Sequence, residues 1–423
     1  MKRRDFVKQT VQLSALGATA PLENLYQQVN WQAQQSVHNS EKNFDVIVLG
    51  VGSMGSATCY YLAKQGVKVL GLEQFDIPHE HGSHAGQSRI IRKAYFEHSD
   101  YVPLLESAYK NWKHLEETSG SKVYYKTGLL YFGQPGHLLI KGVRESSTKY
   151  KVEIKELKES GKSSVYSQFN TPADFASLIE PDAGFLTPER AILLYSELAL
   201  KLGATIHTRE KTIEWKRSGN LITVKTDKTT YQCKKLVITA GAWAAKMIPS
   251  LSKNLKVTRQ VVAWVKPKRW DAFELGNFPC WTIADPQKPG IYYGFPILPS
   301  AVFGAPIGLK LAHHAPGIVS DPDRVNRSTS QLDEANIMYA LNKYIPDGFD
   351  AIISMKTCLY TYTPDENFIL DYLPGYDKDV VVAAGFSGHG FKFASVVGEI
   401  MCDLATSGST KEPIDFLGID RFS

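Results

Sequence analysis

Three glycines and one acidic residue have the spacing of a nucleotide site. Gly50, Gly52 and Gly55 form a G-x-G-x-x-G motif in the stretch GVGSMG, and Glu73 follows at the end of the next apolar run. Such glycines permit a tight turn, close approach of the backbone to a pyrophosphate, and close packing of a helix on a strand. A carboxylate in the position of Glu73 accepts hydrogen bonds from a ribose hydroxyl. The motif predicts a dinucleotide site, and by itself it does not distinguish FAD from NAD.

Cys358 stands alone in the stretch TCLYTYTPDENF. Neither a second cysteine nor a histidine at ligand spacing accompanies it, so the zinc patterns are missing and we expect no metal. The chain has five cysteines, which are widely spaced and odd in number, so they do not indicate a disulfide framework. From the residues alone, Cys358 is either a buried inert thiol or a thiol with a chemical role.

Alternating strand and helix patterns surround the glycine motif. The apolar run at residues 46–49 predicts a strand buried on both faces. We expect a helix from about Ser53 to Gln65, ending at Gly66, and another over 187–203. These elements would direct the glycine turn and the positive end of the first helix at the phosphates.

The later part of the chain alternates between two kinds of residue pattern. A hairpin signal at 218–220 leads into a buried strand at 236–243, and residues 257–350 are rich in aromatic residues and proline, as expected of a more antiparallel domain. Residues 379–408 return to buried strand, glycine turn and helix. We therefore predict a mixed α/β protein with a Rossmann-like domain assembled from discontinuous segments and an antiparallel-sheet substrate domain.

The bulk composition excludes several classes. The chain of 423 residues is 43% hydrophobic, which is ordinary for a globular protein and enough for two or three core-bearing units. Its formal charge of +5 is mild, without a dense basic block, so a nucleic acid partner is not expected. No apolar run reaches the roughly 18 residues that would cross a bilayer, so we expect no membrane span.

The first 20 residues have the pattern of an export signal. Arg3 and Arg4 precede a weakly apolar stretch that ends in the small-residue pattern at 18–20. This is typical of a twin-arginine signal peptide, with a basic disordered start as the alternative. Its removal would lower the formal charge from +5 to +2. We expect an exported or periplasmic protein, or a cytoplasmic one if the signal interpretation is wrong, and a solvated linker at 21–43.

A run of longer motifs carries a resemblance. They are FDVIVLGVGSMGSATCYYLAKQGVKVL, HGSHAGQSRIIRKAY, GIYYGFP, GLKLAHH, CLYTYTPDENFILD and AAGFSGHGFKF. In these motifs and their order the chain resembles the monomeric sarcosine oxidase and N-methyltryptophan oxidase family, flavoenzymes that oxidise N-methyl amino acids, over almost all of residues 44–420. The resemblance implies FAD as the cofactor, held by a thioether from Cys358 to the flavin 8α-methyl group. A thiolate is the nucleophile that such a bond requires.

The resemblance also assigns roles to residues within the motifs. It implies that Arg92 and Lys392 bind the substrate carboxylate, that Arg89 lies beneath the flavin, and that Lys310 assists the reaction with oxygen. The implied catalytic set is Arg89, Tyr293, Lys310 and His314, and the implied substrate-binding set is Arg92, Tyr360, Gly388 and Lys392. The implied FAD-binding set is Gly50, Gly52, Gly55, Glu73, Ser83, Arg89, Cys358, Gly388 and Lys392.

Two features depart from the family pattern. Ala85 occupies a position where the family often has a histidine, and the segment between Pro296 and Lys310 is longer than usual. With the resemblance, the expected domains are a signal peptide (1–20), a linker (21–43), FAD-binding segments (44–127, 187–256, 365–423) and substrate-domain segments (128–186, 257–364).

The expected activity is oxidation of the C–N bond of a secondary or N-methyl amino acid to an imine. Oxygen would be the acceptor, giving hydrogen peroxide, and N-methyl substrates would release formaldehyde. The partners would be this small-molecule substrate and oxygen, and we expect a monomer. Two alternatives stay open: a periplasmic dehydrogenase that passes electrons to a quinone or carrier, and a catalytically inactive flavin-binding module.

Overall fold

The computed structural model describes residues 22–36, 41–157, 166–315 and 317–422. Within these ranges the helices are Leu22–Ser36 (α1), Ser53–Lys64 (α2), Val102–Ser119 (α3), Leu138–Tyr150 (α4), Pro188–Lys201 (α5), Ala244–Met247 (α6), Ser300–Phe303 (α7), Gln331–Tyr344 (α8) and Ala394–Ser407 (α9). The strands are Asn43–Leu49 (β1), Val69–Leu72 (β2), Arg89–Ile91 (β3), Tyr124–Lys126 (β4), Leu129–Gly133 (β5), Lys155–Glu156 (β6), Ala176–Glu180 (β7), Gly184–Leu186 (β8), Thr205–His207 (β9), Thr212–Ser218 (β10), Leu221–Thr226 (β11), Thr230–Ile238 (β12), Lys256–Lys266 (β13), Cys280–Ile283 (β14), Ile291–Phe295 (β15), Leu309–His314 (β16), Ile318–Val319 (β17), Ala351–Tyr362 (β18), Ile369–Tyr372 (β19) and Val380–Ala384 (β20).

The first sheet carries the glycine turn. Its strand β1 pairs in parallel with β2 and β12, β2 pairs in parallel with β9, and β12 pairs in parallel with β20. Val46 and Val48 lie in one hydrophobic core, whereas Ile47 and Leu49 lie in another, so β1 is buried on both faces. The helices α2, α5 and α9 pack together over the face that contains Val46 and Val48.

Several elements predicted from local patterns are confirmed. The buried strand at 46–49 is part of β1, and the two predicted helices are α2 and α5. The hairpin signal at 218–220 joins the antiparallel strands β10 and β11. The strand and helix expected within 379–408 are β20 and α9. The strands of the first sheet thus come from three separated stretches of chain, and the fold is mixed α/β.

The second sheet forms most of the other half. Its long strand β13 pairs antiparallel with β16, β17 and β18, and β15 pairs antiparallel with β14 and β16. The pair of β14 and β5 is parallel, so the sheet expected to be antiparallel joins its two chain segments through one parallel pair. Ile337 and Leu341 of α8 belong to the core on one face.

A small third sheet positions the arginine segment. Strand β8 lies between β3 and β4 and pairs antiparallel with both. Arg89 is the first residue of β3, and the chain continues directly to Arg92. No helix among the described residues is long and apolar enough to cross a bilayer.

The linker predicted at 21–43 is wrong over Leu22–Ser36, which form α1. Leu25, Val29 and Ala33 recur every fourth residue and are buried, and the helix packs against α5 and β9. The numerous glutamine and asparagine residues hide this narrow apolar stripe in the composition. The predicted signal peptide at 1–20 lies outside the described residues.

Candidate active site

The glycine turn between β1 and α2 leaves an open cradle. Gly50 has a φ of +90°, and a Cβ there would lie 2.8 Å from the carbonyl oxygen of Thr239. Gly55 approaches the carbonyl of Gly50 too closely for any side chain. A Cβ at Gly52 would meet only the Nδ1 atom of His84, at 3.8 Å. Bare backbone at the start of a helix therefore faces open space, which suits a pyrophosphate.

Glu73 follows β2 and faces the same cavity. Its two carboxylate oxygens accept the N–H groups of Val51 (2.9 Å) and Phe75 (3.0 Å). Burial raises the pKa of Glu73 to about 7, and these hydrogen bonds oppose the shift. Burial also lowers the pKa of His79 to about 2, so its 3.7 Å contact with Glu73 is not an ion pair near neutral pH. The lone pairs that remain can accept ribose hydroxyls.

One cavity brings most of the predicted site residues together. It runs from the glycine turn to the N-terminal side of α9 and is lined by Gly50, Gly52, Glu73, Ser83, Arg89, Arg92, Tyr293, His314, Tyr360, Gly388 and Lys392. Gly55, Lys310 and Cys358 are not on its lining. Gly55 packs against the carbonyl of Gly50, and Lys310 and Cys358 are buried.

Arg89 holds the loop before β3 together. Its guanidinium donates to the carbonyl oxygens of Ser83 (2.9 Å), Ala85 (2.5 Å) and Ser88 (2.8 Å). The hydroxyl of Ser83 donates to the carbonyl of Leu359 at 2.5 Å, which ties the loop to β18. Ala85 therefore takes part through its backbone, and Arg89 keeps a fixed positive charge at the cavity wall.

Cys358 lies on β18, two residues before Tyr360, and is buried. Alternate residues of a strand share a face, so the thiol points the same way as the Tyr360 ring, which lines the cavity. Burial raises the pKa of Cys358, and the positive charges of Arg89 and Lys310 oppose that rise. The other four thiols are also buried, and burial raises the pKa of each to about 12. Several cations thus favour the thiolate of Cys358, whereas Cys280 has the charge of Lys310 alone.

Arg92 already holds a carboxylate inside the cavity. Its Nη2 atom lies 2.6 Å from both carboxylate oxygens of Glu97, and its Nη1 atom donates to the carbonyl of Ala94 at 3.1 Å. The guanidinium also lies over the rings of Tyr95 and Phe96, at 4.2 and 4.4 Å. Burial raises the pKa of Glu97, but the charge of Arg92, the charges of His389 and Lys392, and the hydrogen bonds from Arg92 together outweigh burial and lower the pKa to about 2.

Lys392 supplies the second cation of this region. Its Nζ atom donates to the carbonyl of His389 at 2.6 Å. Burial, reinforced by the charge of Arg92, lowers the pKa of Lys392 to about 7. Burial also lowers the pKa of His314 to about 4 and that of His389 to about 3, so both imidazoles are neutral near neutral pH. The region therefore combines one permanent cation with one that titrates.

Aromatic side chains close the cavity on the sheet side. The hydroxyl oxygens of Tyr293 and Tyr360 are 3.4 Å apart, and the rings of His314 and Tyr360 are 5.5 Å apart. Gly388 has a φ of +80°, and any side chain there would collide with Tyr360 and approach the Cε1 atom of His314 to 2.9 Å. This arrangement makes a compact aromatic pocket beside the two cations.

Lys310 is buried against the loop that Arg89 holds. Its ammonium donates to the carbonyl of Gly86, to the carbonyl of Ser88 at 2.7 Å and to the hydroxyl of Ser88 at 2.9 Å. It also lies 4.4 Å from the centre of the Phe295 ring. Burial, with the charge of Arg89, lowers its pKa well below the usual value.

Three residues that contact the site were not predicted from the sequence: Glu97, His389 and Glu189. Glu97 stands five positions after Arg92 in an irregular segment, where no period indicates which side chains meet. The available signal was its carboxyl group, two residues after the end of the motif that holds Arg92. His389 lies inside the quoted motif AAGFSGHGFKF, between two residues that were assigned roles.

Residues 45–404 match the family model described as DAO, FAD dependent oxidoreductase. The chain belongs to this family. Monomeric sarcosine oxidase from Bacillus sp. (strain NS-129) is 38% identical over 384 residues, which cover 90% of this chain and 97% of that protein. N-methyl-L-tryptophan oxidase from Citrobacter koseri is 30% identical over 381 residues, covering 90% and 99%. The resemblance to these flavoenzymes is thereby confirmed.

Solved structures extend the comparison to the fold. NikD, described as an unusual amino acid oxidase essential for nikkomycin biosynthesis, superposes in its open form with a TM-score of 0.78 at 24% identity, covering 89% of this chain and 97% of NikD. L-proline dehydrogenase from P. horikoshii gives a TM-score of 0.77 at 23% identity, covering 90% and 98%. These two likenesses establish the FAD-binding fold of this DAO-family chain.

Family membership and the cavity agree on the cofactor and the class of reaction. The chain is an FAD-dependent, amine-oxidising enzyme of the DAO family. The open cradle at Gly52 and the carboxylate of Glu73 lie at one end of the cavity, and Arg92 and Lys392 lie at the other. The glycine turn at Gly52 and the carboxylate of Glu73 would hold the pyrophosphate and a ribose of FAD.

Proposed function

We propose that this enzyme oxidises a secondary or N-methyl amino acid of the sarcosine type, with oxygen as the electron acceptor. One observation carries the proposal: Arg92 grips the carboxylate of Glu97 with two 2.6 Å contacts inside the cavity, with Lys392 on the same lining. A site that already binds a carboxylate in this way suits the carboxylate of an amino acid.

In the proposed reaction the substrate carboxylate takes the place of Glu97 on Arg92. The ammonium of Lys392 adds a second contact, so the substrate enters with its amine toward the flavin side. Bound FAD supplies the ring that accepts two electrons from the carbon beside the amine nitrogen. The neutral rings of His314, Tyr293 and Tyr360 surround the amine, exclude water and face the positive charge that develops there.

The balanced reaction follows from the acceptor. An N-methyl amino acid, oxygen and water give the demethylated amino acid, formaldehyde and hydrogen peroxide, because the amine loses two electrons and two protons, oxygen gains them, and water hydrolyses the imine. Lys310 contributes a fixed positive charge, which stabilises superoxide when oxygen takes its first electron. A quinone or carrier as acceptor is the competing proposal, in which no peroxide forms.

Peroxide and formaldehyde yields test the activity. The purified enzyme is supplied with sarcosine, N-methyltryptophan, pipecolate and proline, and substrate loss is compared with peroxide. Equal yields support the oxidase. Substrate loss without peroxide overturns the choice of oxygen, and no reaction with any secondary amino acid overturns the substrate class. Arg92→Gln should lower kcat/KM by about 100-fold or more, because one partner of a buried charge pair is lost. The exposed arginine of the Arg144–Glu156 pair, changed to Arg144→Gln, is the matched control.

We also propose that FAD is bound covalently through Cys358. Forming the thioether removes one hydrogen from the thiol and one from the 8α-methyl group, and oxygen takes the corresponding two electrons and becomes peroxide. Acid precipitation of the holoenzyme should leave the yellow colour in the pellet. Cys358→Ala should release the colour to the supernatant, whereas Cys402→Ala, another buried thiol, should retain it. Release from the wild-type protein would contradict the covalent bond.

The proposed enzyme acts as an exported monomer. The arginine pair at residues 3–4 and the small-residue pattern at 18–20 support export by the twin-arginine route, which carries folded proteins. The name of the relative from Bacillus sp. (strain NS-129), monomeric sarcosine oxidase, supports the monomer.

A further inference from the structure

Glu189, at the start of α5, binds the loop that surrounds Lys310. Its Oε1 atom accepts the N–H groups of Gly86 at 2.6 Å and Gln87 at 3.1 Å. No sequence motif and no part of the proposed reaction assigns this carboxylate a role. It lies on a different element from the other groups of the site, since it comes from the helix that packs on α2.

The loop that Glu189 binds has an unusual backbone. Gly86 and Gln87 both have positive φ angles, of +119° and +67°. An L side chain such as that of Gln87 rarely adopts this region, so other contacts must hold it there. The side-chain amide of Gln87 makes such contacts. It donates to the carbonyls of Gly304 and Pro306, each at 3.0 Å, and accepts the indole N–H of Trp264 at 2.8 Å.

A single peptide group joins Glu189 to Lys310. The peptide between Gly86 and Gln87 donates its N–H to the carboxylate of Glu189, and its carbonyl accepts the ammonium of Lys310. An anion at one end of a peptide and a cation at the other polarise it in the same direction, which strengthens both hydrogen bonds. The ammonium also has two oxygen acceptors from Ser88, so its three N–H groups match three oxygens.

We propose that Glu189 is a positioning residue that keeps Lys310 charged and fixed for the reaction with oxygen, acting through the Gly86–Gln87 peptide. The inference rests on the proposed role of Lys310 in the oxidase. The other titratable groups that act on Lys310 are Arg89 of β3, which opposes its charge, and the thiols of Cys280 on β14 and Cys358 on β18. Among the groups of the described residues that act on Lys310, Glu189 is the one carboxylate, and its charge favours the ammonium form.

The test separates the charge of Glu189 from its geometry. Glu189→Gln keeps an oxygen that can accept both N–H groups but removes the charge. Enzyme reduced by substrate without air is mixed with oxygen, and recovery of the visible flavin band is followed across pH. We expect reoxidation to slow about tenfold near neutral pH and its alkaline limb to move down by about one pH unit, since the nearest favourable charge is lost. Reduction by substrate should be unchanged.

Matched variants make each outcome decisive. Glu197→Gln, on the same helix and paired with Lys201, should behave as wild type. Lys310→Met should slow reoxidation at every pH and abolish the alkaline limb. If Lys310→Met leaves reoxidation unchanged, the proposed oxygen site itself is wrong. If Lys310→Met slows it but Glu189→Gln shifts nothing, the role of Glu189 alone is overturned.

A second measurement does not depend on turnover. Holoenzyme labelled at the ε-carbon of lysine is titrated by NMR, with the Lys310 resonance assigned by its loss in Lys310→Met. Glu189→Gln should lower the pH at which this resonance shifts by about one unit. An unchanged midpoint would overturn the proposal, even if the variant were less active for a structural reason.

Discussion

At the scale of single residues, Lys392 makes carboxylate binding depend on pH. Burial and Arg92 lower its pKa to about 7, so the free enzyme loses this charge just above neutrality. A bound carboxylate favours the ammonium form, so binding above pH 7 takes up a proton. We expect the Kd of propionate, a carboxylate without an amine, to be constant below about pH 7 and to rise by up to about tenfold per pH unit above it. Titration of the flavin spectrum with propionate measures this.

The control for that measurement is Lys392→Met. This variant lacks the titrating group, so it should bind propionate more weakly, with a Kd that does not change with pH across the same range. A wild-type Kd that is also flat between about pH 6 and about pH 9 would show that Lys392 keeps its charge through the range, against the expected lowering.

Glu97 is the residue that competes with the substrate for Arg92. Its carboxylate occupies the Nη2 group that a substrate carboxylate needs, and it is ionised above about pH 2 because Arg92 and the neighbouring charges lower its pKa to about 2. Glu97→Gln removes the competing charge, so we expect the Kd of propionate to fall by about tenfold. Glu106→Gln, which alters the more exposed pair with Lys93, is the control. Weaker binding by Glu97→Gln would indicate instead that Glu97 orients Arg92 for the substrate.

At the scale of elements, α1 is hydrogen-bonded to the segment that follows β2. The amide of Asn30 donates to the carbonyl of Ile77 at 2.6 Å and accepts its N–H at 2.9 Å, and both groups are buried. Asn30→Ala leaves these backbone groups without partners and should cost about 2 kcal/mol of unfolding free energy. Gln27→Ala on the exposed side of the same helix should cost nearly nothing. Thermal unfolding of both variants checks this, and equal melting temperatures would show that α1 does not stabilise the domain.

The elements also show where sequence reasoning works. Spacing and capping predicted α2 and α5 because a glycine turn, a proline at the first helical position and an apolar period are local signals. The helix α1 was missed because its buried residues Leu25, Val29 and Ala33 lie among polar amides, which dominate the composition of the segment. Glu189 was missed for another reason: its partner, the Gly86–Gln87 peptide, is distant in the sequence and is met only through tertiary packing. Glu97 stands five residues after Arg92, but in an irregular segment where no period indicates which side chains meet. The motifs predict residues that line the cavity. The Arg92–Glu97 ion pair and the contact of Glu189 with the loop around Lys310 are seen only in the folded structure.

At the scale of the whole molecule, the cavity belongs to neither sheet alone. The ends of β1 and β20 supply its glycine turns, whereas Tyr293, His314 and Tyr360 come from strands of the second sheet. Separated parts of the chain must therefore fold together before the cofactor is enclosed. A route that exports unfolded chains would have to rebuild this enclosure outside the cell, whereas the proposed twin-arginine route would deliver the folded protein.

Export should depend on the arginine pair at residues 3–4. In a Gram-negative host with a working twin-arginine system, wild-type enzyme should be recovered in the periplasmic fraction with its flavin bound. The double variant Arg3→Lys and Arg4→Lys keeps the charge of the N-terminus but removes the pair that the receptor reads, so flavin-loaded enzyme should stay in the cytoplasm. Lys8→Arg, a charge-preserving change outside the pair, should be exported as wild type. Equal distribution of the wild type and the double variant would mean that the first residues are a basic segment and not an export signal. It would not bear on the proposed oxidase activity of the folded domain.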